Sequence, residues 1–276
     1  MSLGGQFYMS PDNKFLAPFD CQISRLSKQQ HNRSKAIVEF LLTARTSSLS
    51  SWTTTDFLSF VARQGTHSES SKSQLLQDYF ALYCNQGTVG GFFVEFGACN
   101  GVDGSNTLLL ERDFNWNGLL AEPAREWHDD LQSNRKCSID HRCVFSSSGK
   151  NIEFVECGVY SSIESFAIEN NDWVKDLRNA SSTRYSVPTV TLDDLLDSHH
   201  VPSHISYMSV DTEGSEYECL AEFDFNKYKI NCLTVEHNFQ SSRQKVHQLL
   251  IASGFVHVFS EISDYDDWFV HSLSMG

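Results

Sequence analysis

The chain has 276 residues, of which 40% are hydrophobic and 20% charged, a balance that fits a soluble globular protein with one large domain and an accessory segment. Its 35 acidic and 21 basic side chains leave a formal charge of −14, which argues against a general phosphate-binding surface and against nucleic acid as partner. No run approaches the roughly 20 apolar residues that span a bilayer, and Met1 to Asp20 lacks a basic start followed by an apolar stretch, so neither a transmembrane segment nor a secretory signal is expected.

The eight cysteines (Cys21, Cys84, Cys99, Cys137, Cys143, Cys157, Cys219 and Cys232) form no CxxC pair, and several lie inside apolar runs. That usage predicts reduced, mostly buried thiols in a cytoplasmic protein rather than a zinc site.

Residues 1–73 read as an accessory, partly helical extension. Arg33 to Ala44 carries Ile37, Phe40 and Leu41 at helical spacing, and Asp56 to Arg63 is a second helix with Thr55 as its N-cap. Between them lies a polar stretch from Ser47 to Thr55, and a second one, Thr66 to Ser73, precedes the main domain at 74–276. There strand and helix signals alternate. Helices are predicted over Leu75–Tyr83, Ser105–Phe114, Arg125–Ser133, Thr191–Ser198 and Ser241–Ser253, the last ended by Gly254. Strands are predicted over Phe92–Phe96, Gly118–Ala121, Ser206–Val210 and Cys232–Val235. Cys137–Phe145 and Ile152–Cys157 read as extended, and Phe255–Phe259 with Trp268–His271 as an antiparallel pair. Alternation of this kind means an α/β fold with a largely parallel sheet and helices on both faces.

Four clusters carry the chemistry. Phe92 to Phe96 runs into Gly97-Ala98-Cys99-Asn100-Gly101, a glycine-bearing turn at the carboxyl end of the first strand, where open α/β sheets bind ligands. Gly97 and Gly101 let backbone approach a nucleotide without a Cβ clash. The turn is not G-x-G-x-x-G and leads to no P-loop lysine. Leu119 to Ala121 ends in Glu122-Pro123, which places a carboxylate where it can accept from both hydroxyls of a ribose. Asp211 and Glu213, in Val210-Asp211-Thr212-Glu213-Gly214-Ser215-Glu216, follow the fourth strand and point to one side of an extended chain. Bunched carboxylates there must bind a cation, share a proton or meet solvent. His237, in Glu236-His237-Asn238 after the next strand, is expected to face the same pocket edge as Asp211.

These residues, taken with Gly91, Ser105-Asn106-Thr107, Leu110-Glu111, Trp116-Asn117-Gly118 and Thr191 to Leu195, resemble the FkbM family of methyltransferases from about Ser73 to His271. The run Asp211-x-Glu213-Gly214-x-Glu216 matches that family's acidic signature. The resemblance implies a Rossmann-like class I methyltransferase sheet, mostly parallel with a final antiparallel strand, and S-adenosylmethionine as cofactor. It further implies that Glu95, Gly97, Ala98, Asn100 and Gly101, with Ser105 and Asn106 after them, cradle the methionine part, and that Glu122 and Pro123 hold the ribose. Cys143 and Val144, within Arg142 to Phe145, would lie near the adenine, and Asp211 and Glu213 would line the transfer site. The expected reaction is O-methylation of a hydroxyl on a sugar, glycan or secondary metabolite.

In-line transfer to a hydroxyl calls for a base, and Asp211 and His237 are the candidates, with Glu213 orienting one of them or gripping the acceptor. The same acids can hold a divalent cation instead, although no metal ligand set is assigned. Trp116, Trp127, Trp173 and Trp268 include possible stacking platforms for a sugar, and the polar stretch Glu164 to Tyr185 reads as a mobile loop over the acceptor or as a surface insertion. Two other readings stand beside this one, a catalytically inactive nucleotide-binding module and an NAD-dependent oxidoreductase. Intact residues at Glu95, Gly97, Gly101, Glu122 and Asp211 weigh against the first, and the absent G-x-G-x-x-G against the second.

Overall fold

A computed structural model describes residues 52–67, 69–167 and 172–275, with the side chains of 172 and 173 left aside. The helix expected over Arg33 to Ala44 lies outside the described residues. Helix α1 (Thr54–Arg63) starts two residues earlier than its spacing suggested, because Thr53, not Thr55, is the N-cap and accepts from the Asp56 amide at 3.2 Å. Helix α2 (Gln77–Cys84) follows a left-handed Leu76.

Strand β1 (Phe92–Phe96), helix α3 (Leu108–Phe114), strand β2 (Asn117–Ala121), helix α4 (His128–Asn134) and strand β3 (Ser138–Asp140) form the first half of a large sheet. Helix α3 begins three residues later than the apolar pattern implied, since Ser105, Asn106 and Thr107 are taken up by hydrogen bonds to Glu95.

A second, four-stranded sheet is inserted next. It contains β4 (Cys143–Val144), β5 (Asn151–Glu156), β6 (Ser162–Ile163) and β7 (Thr183–Val190), in the order β4-β7-β5-β6. The stretch from Glu164 to Tyr185, expected as a loop or a surface insertion, belongs to this insertion and contains helix α5 (Asp172–Ser181) and the start of β7. The strand is hard to read in the sequence because β7 exposes most of its first residues, and it includes Pro188, a residue that marks edge positions. Pro188 does pair with Asn151 of β5, while β4 pairs only with Thr189 and Val190.

The chain returns to the large sheet through helix α6 (Leu192–Ser198), capped by Thr191, and strand β8 (His204–Val210). Helix α7 (Glu216–Leu220), strand β9 (Lys229–Glu236), helix α8 (Arg243–Ala252), strand β10 (Phe255–Val258) and strand β11 (Asp266–His271) complete it. The order is β10-β11-β9-β8-β1-β2-β3. Strands β3, β2, β1, β8 and β9 pair in parallel, and β11 runs antiparallel to both β9 and β10. The result is a mixed α/β fold with a mostly parallel sheet.

Successive residues of β1 face opposite sides, as a pleated strand requires. Phe93 joins one core with α1, α2 and Trp268, while Val94 and Phe96 join the other with α6, α7 and α8. Phe57 of α1 stacks on Phe259 at 5.1 Å and meets Trp268 edge-on at 5.7 Å. Helix α1, from the segment read as accessory, is therefore part of the main core, and a fully buried Phe contributes roughly 1.5–3 kcal/mol. No helix among the described residues is long and apolar enough to cross a membrane.

Candidate functional site

From the neighbouring strands β1 and β8 the sheet extends in opposite senses, to β2 and β3 on one side and to β9 and β11 on the other. Loops leaving such a pair diverge, and a crevice opens at the carboxyl ends of the strands. Both Gly97 and Asp211 stand at that point.

The glycine turn is welded to the end of β8. Asp211 donates its amide to the Phe96 carbonyl at 3.2 Å, and Gly97 donates to Ala121 at 3.1 Å. Gly97 has φ +82°, and a Cβ there would sit 1.7 Å from the Asp211 carbonyl oxygen. Cys99, also left-handed at φ +47°, gives its amide to Glu122 Oε2 at 2.8 Å, and Ala124 gives its amide to Oε1 at 2.7 Å. Glu122 thus ties the turn to the end of β2, with one lone pair left on each oxygen for a ligand. Burial pushes its carboxyl up to about 7.

Several residues of this turn also hold the loop together. A Cβ on Gly101 would lie 2.7 Å from Arg135 Cγ and Leu131 Cδ1, so the missing side chain makes room for Arg135 and Leu131. Asn100 folds the turn, its Oδ1 accepting the amides of Val102 and Asp103 at 2.9 Å each, and Ala98 is in the core. Glu95 is buried, accepts from Asn106 N at 2.8 Å, Thr107 Oγ1 at 2.5 Å and Ser105 Oγ at 3.2 Å, and lies 3.7 Å from Arg135 Nη1. This carboxylate shapes the loop that carries Asn106.

Asn106 itself reaches the crevice. Its Nδ2 donates to Ser209 Oγ at 2.9 Å, while its enclosed Oδ1 has no hydrogen-bond partner. Gln74, Gln77, Asp211, Glu236 and Asp266 line the same polar cavity. Gln77 donates to Asp266 Oδ2 at 2.8 Å, and burial raises the Asp266 carboxyl to about 7. Neither Gln77 nor Asp266 had a readable signal in the sequence, because each enters from a distant element.

Asp211, Glu213 and Glu236 each bring one carboxylate oxygen within 4.8 Å of the others, the one such acidic group among the described residues able to hold a metal ion. Glu213 arrives there by a turn, not by an extended chain: its φ is +57°. Glu236 arrives by register, since Val210 pairs with Val235 and the next residues of β8 and β9 are Asp211 and Glu236. Two like charges at that separation cost about 3 kcal/mol or more at an effective dielectric of 20. The group therefore holds protons. Burial raises the Glu213 and Glu236 carboxyls well above the ordinary range, and Asp211 to about 6, with a hydrogen bond between Asp211 and Glu236.

Two further side chains frame the cluster. Glu216 Oε1 accepts from Thr212 N at 3.1 Å, Thr212 Oγ1 at 3.0 Å and Gly214 N at 2.9 Å, so it shapes the loop carrying Glu213. Arg178 of α5 places Nη2 3.7 Å from Glu213 Oε2 and donates to the carbonyls of Tyr160 at 2.8 Å and Ala167 at 3.0 Å.

His237 is not brought against Asp211. Neighbouring strand residues point to opposite faces, so with Glu236 turned to Asp211 the imidazole goes elsewhere. Its Nδ1 accepts the Phe239 amide at 3.0 Å, and its Nε2 lies 3.7 Å from Asp267 Oδ1. Burial holds its pKa below the ordinary imidazole value. Asp267 also meets Arg243 at 2.7 Å and His257 at 3.1 Å.

On the side of β4, Cys143 and Val144 are buried strand residues and Pro123 is half-buried beside Glu122. Arg142 is committed to Asp140 at 2.6 Å. Of the tryptophans, Trp116 and Trp268 are in the core rather than available for stacking, and Trp127 is half-buried.

A family model described as the Methyltransferase FkbM domain matches residues 95–269, more than half of the chain, and takes in the Gly97 turn, Glu122 and the carboxylate cluster. No curated protein matched the chain.

Proposed function

Since the chain belongs to the FkbM methyltransferase family, we propose that it transfers a methyl group from S-adenosylmethionine to a hydroxyl of a sugar, glycan or secondary metabolite. The observation that carries the proposal is the cluster of Asp211, Glu213 and Glu236 at the carboxyl ends of β8 and β9, beside the Gly97 turn. The strand order, with β11 antiparallel to its neighbours, supports a Rossmann-like class I assignment for residues 74–276, to which 1–73 are an extension. Free thiols at all seven described cysteines support a reducing, cytoplasmic setting.

The donor set suits the cationic end of the cofactor. Asn106 Oδ1 is an enclosed acceptor without a partner, and Asp211, Glu236 and Asp266 surround the same cavity, so an ammonium and a sulfonium meet acceptors and negative charge. Glu122 has lone pairs for the ribose hydroxyls. When bound, S-adenosylmethionine supplies an electrophilic methyl group on a sulfonium.

Asp211 removes the acceptor proton. It accepts a hydrogen bond from protonated Glu236, and Arg178 steadies Glu213, which orients the acceptor hydroxyl. His237 takes no proton from the acceptor, because its one free lone pair in the neutral ring is spent on the Phe239 amide. A divalent cation held by Asp211, Glu213 and Glu236 is the alternative means of lowering the acceptor's pKa.

The experiment is a calorimetric titration with S-adenosylhomocysteine, with NAD in parallel. Micromolar affinity for the first and none for the second supports the proposal. Binding of NAD alone, or of neither, removes it.

A further inference from the structure

Phe239 is the aromatic residue among the large hydrophobic side chains that the described residues leave exposed, at 69% relative accessibility. It sits in the loop that leaves β9, three residues after Glu236. On one side of it Asn238 Nδ2 donates to Glu236 Oε2 at 2.6 Å. On the other, the Gln240 side chain packs over Gly214, the residue after Glu213: a Cβ built on that glycine would lie 3.2 Å from Gln240 Oε1. The exposed ring is thus flanked by one residue that bonds to the cluster and one that packs on the glycine following Glu213.

The loop is also strained and firmly held. Asn238 and Phe239 have φ of +42° and +58°, the left-handed region that a bulky side chain rarely adopts. The conformation is over-determined by hydrogen bonds: His237 N and Asn238 N donate to the Tyr265 carbonyl at 2.9 and 3.3 Å, and Gln240 N donates to His237 O at 2.7 Å. The Phe239 amide donates to Nδ1 of the buried His237, whose ring meets the phenyl edge-on at 5.1 Å. These bonds hold the ring at the surface in one place, beside the carboxylate cluster, so that a bound ligand need not order it.

We propose that Phe239 is a stacking platform for a sugar ring, which it holds against the rim of the carboxylate cluster so that one hydroxyl points at Asp211. The proposal rests on the methyl-transfer reading. A pyranose fits both halves of the surface: its C–H face packs on an aromatic ring, and its several hydroxyls find acceptors in Glu213 and Glu236 and donors and acceptors in Asn238 and Gln240. A flat phenolic acceptor would use the ring but brings only one or two hydroxyls to these polar groups. His237 is a positioning residue in this arrangement, acting through the amide of Phe239.

The test is saturation-transfer NMR on the full chain with the methyl glycosides of glucose, galactose, mannose, fucose and rhamnose, with catechol as the aromatic probe. Calorimetry with S-adenosylhomocysteine runs on the same samples. We expect at least one glycoside to receive saturation on its C–H face. The signal should fall at least fivefold in Phe239→Ala and return in Phe239→Trp, with S-adenosylhomocysteine affinity unchanged in both. No glycoside signal, a signal indifferent to Phe239→Ala, or binding of catechol alone overturns the platform. Loss of S-adenosylhomocysteine binding in the unaltered protein defeats the methyl-transfer reading instead, whatever the glycosides do.

Discussion

Gly97 and Asp211 stand so close that a Cβ on the glycine would lie 1.7 Å from the aspartate's carbonyl oxygen. The contact is backbone to backbone, so no side-chain rotation relieves it, and the glycine's φ of +82° adds its own penalty. Gly97→Ala is expected to destabilise the protein by about 3 kcal/mol or more. Urea denaturation measures it, and a midpoint close to that of the unaltered protein would show that the two loops can separate freely.

Glu122 holds two backbone amides, those of Cys99 and Ala124, and is proposed to hold the ribose as well. Glu122→Ala should weaken S-adenosylhomocysteine binding at least tenfold and also lower the melting temperature, because two amides lose their acceptor. Glu122→Gln keeps one acceptor oxygen and should fall between the two in both measurements. A variant with full affinity would remove Glu122 from the cofactor site.

Asp211→Asn should lower turnover by about 10²- to 10⁴-fold, the usual contribution of a positioned base, with S-adenosylhomocysteine affinity within about threefold. The rate of the unaltered enzyme should rise with pH on an acid limb near 6, where the Asp211 carboxyl, raised by burial, gives up its proton. His237→Gln should leave that limb in place and act through the acceptor's KM. If the limb disappears in His237→Gln, the imidazole is the base after all.

Stability should have an unusual pH dependence in the cofactor-free protein. Burial raises Glu122, Glu216 and Asp266 to about 7 and Asp78 to about 6, from ordinary values near 4. A raised carboxyl means that the folded state holds the proton more tightly than the unfolded one. Its contribution is complete below the unfolded pKa and is lost as pH climbs through the folded value, here between about 4 and 7. Asp140, held near 2 by Arg142 and His199 against the opposing effect of burial, works the other way and loses its contribution in acid. A melting temperature highest near pH 4 and lower by roughly 5–10 °C at pH 8 is expected by calorimetry. A steady rise from pH 5 to 8 would mean that these carboxyls are ionised in the fold.

Divalent cations provide a separate check on the cluster. If Asp211, Glu213 and Glu236 take a cation as part of the reaction, activity should vanish with EDTA and return with magnesium or manganese. Turnover indifferent to EDTA would leave Asp211 to act as base without metal assistance.

The legible parts of the molecule were those governed by local chemistry. Phe92 to Phe96 is a strand with the predicted bounds, Thr191 caps its helix, and Gly254 follows the end of another, because apolar period, capping oxygen and glycine φ are properties of short segments. In the segment from Glu164 to Tyr185, the insertion was legible but its helix and strand were not, for the converse reason. Helix α5 and strand β7 bury few side chains, and β7 is a strand because β5 and β4 supply its hydrogen bonds.

In the crevice, the sequence by itself determined the residue types: a glycine turn after one strand, a carboxylate after the next, and the run from Asp211 to Glu216. It also determined the family. Which groups meet was decided only by the tertiary structure. Glu236 rather than His237 faces Asp211 because strand register and alternation allow one of two adjacent residues into the crevice. Gly101 serves Arg135, Asp266 joins from an antiparallel strand, and Arg178 comes in on an inserted helix. Those partners are tens to hundreds of residues apart in the chain, and only sheet pairing and helix packing bring them within reach of one another.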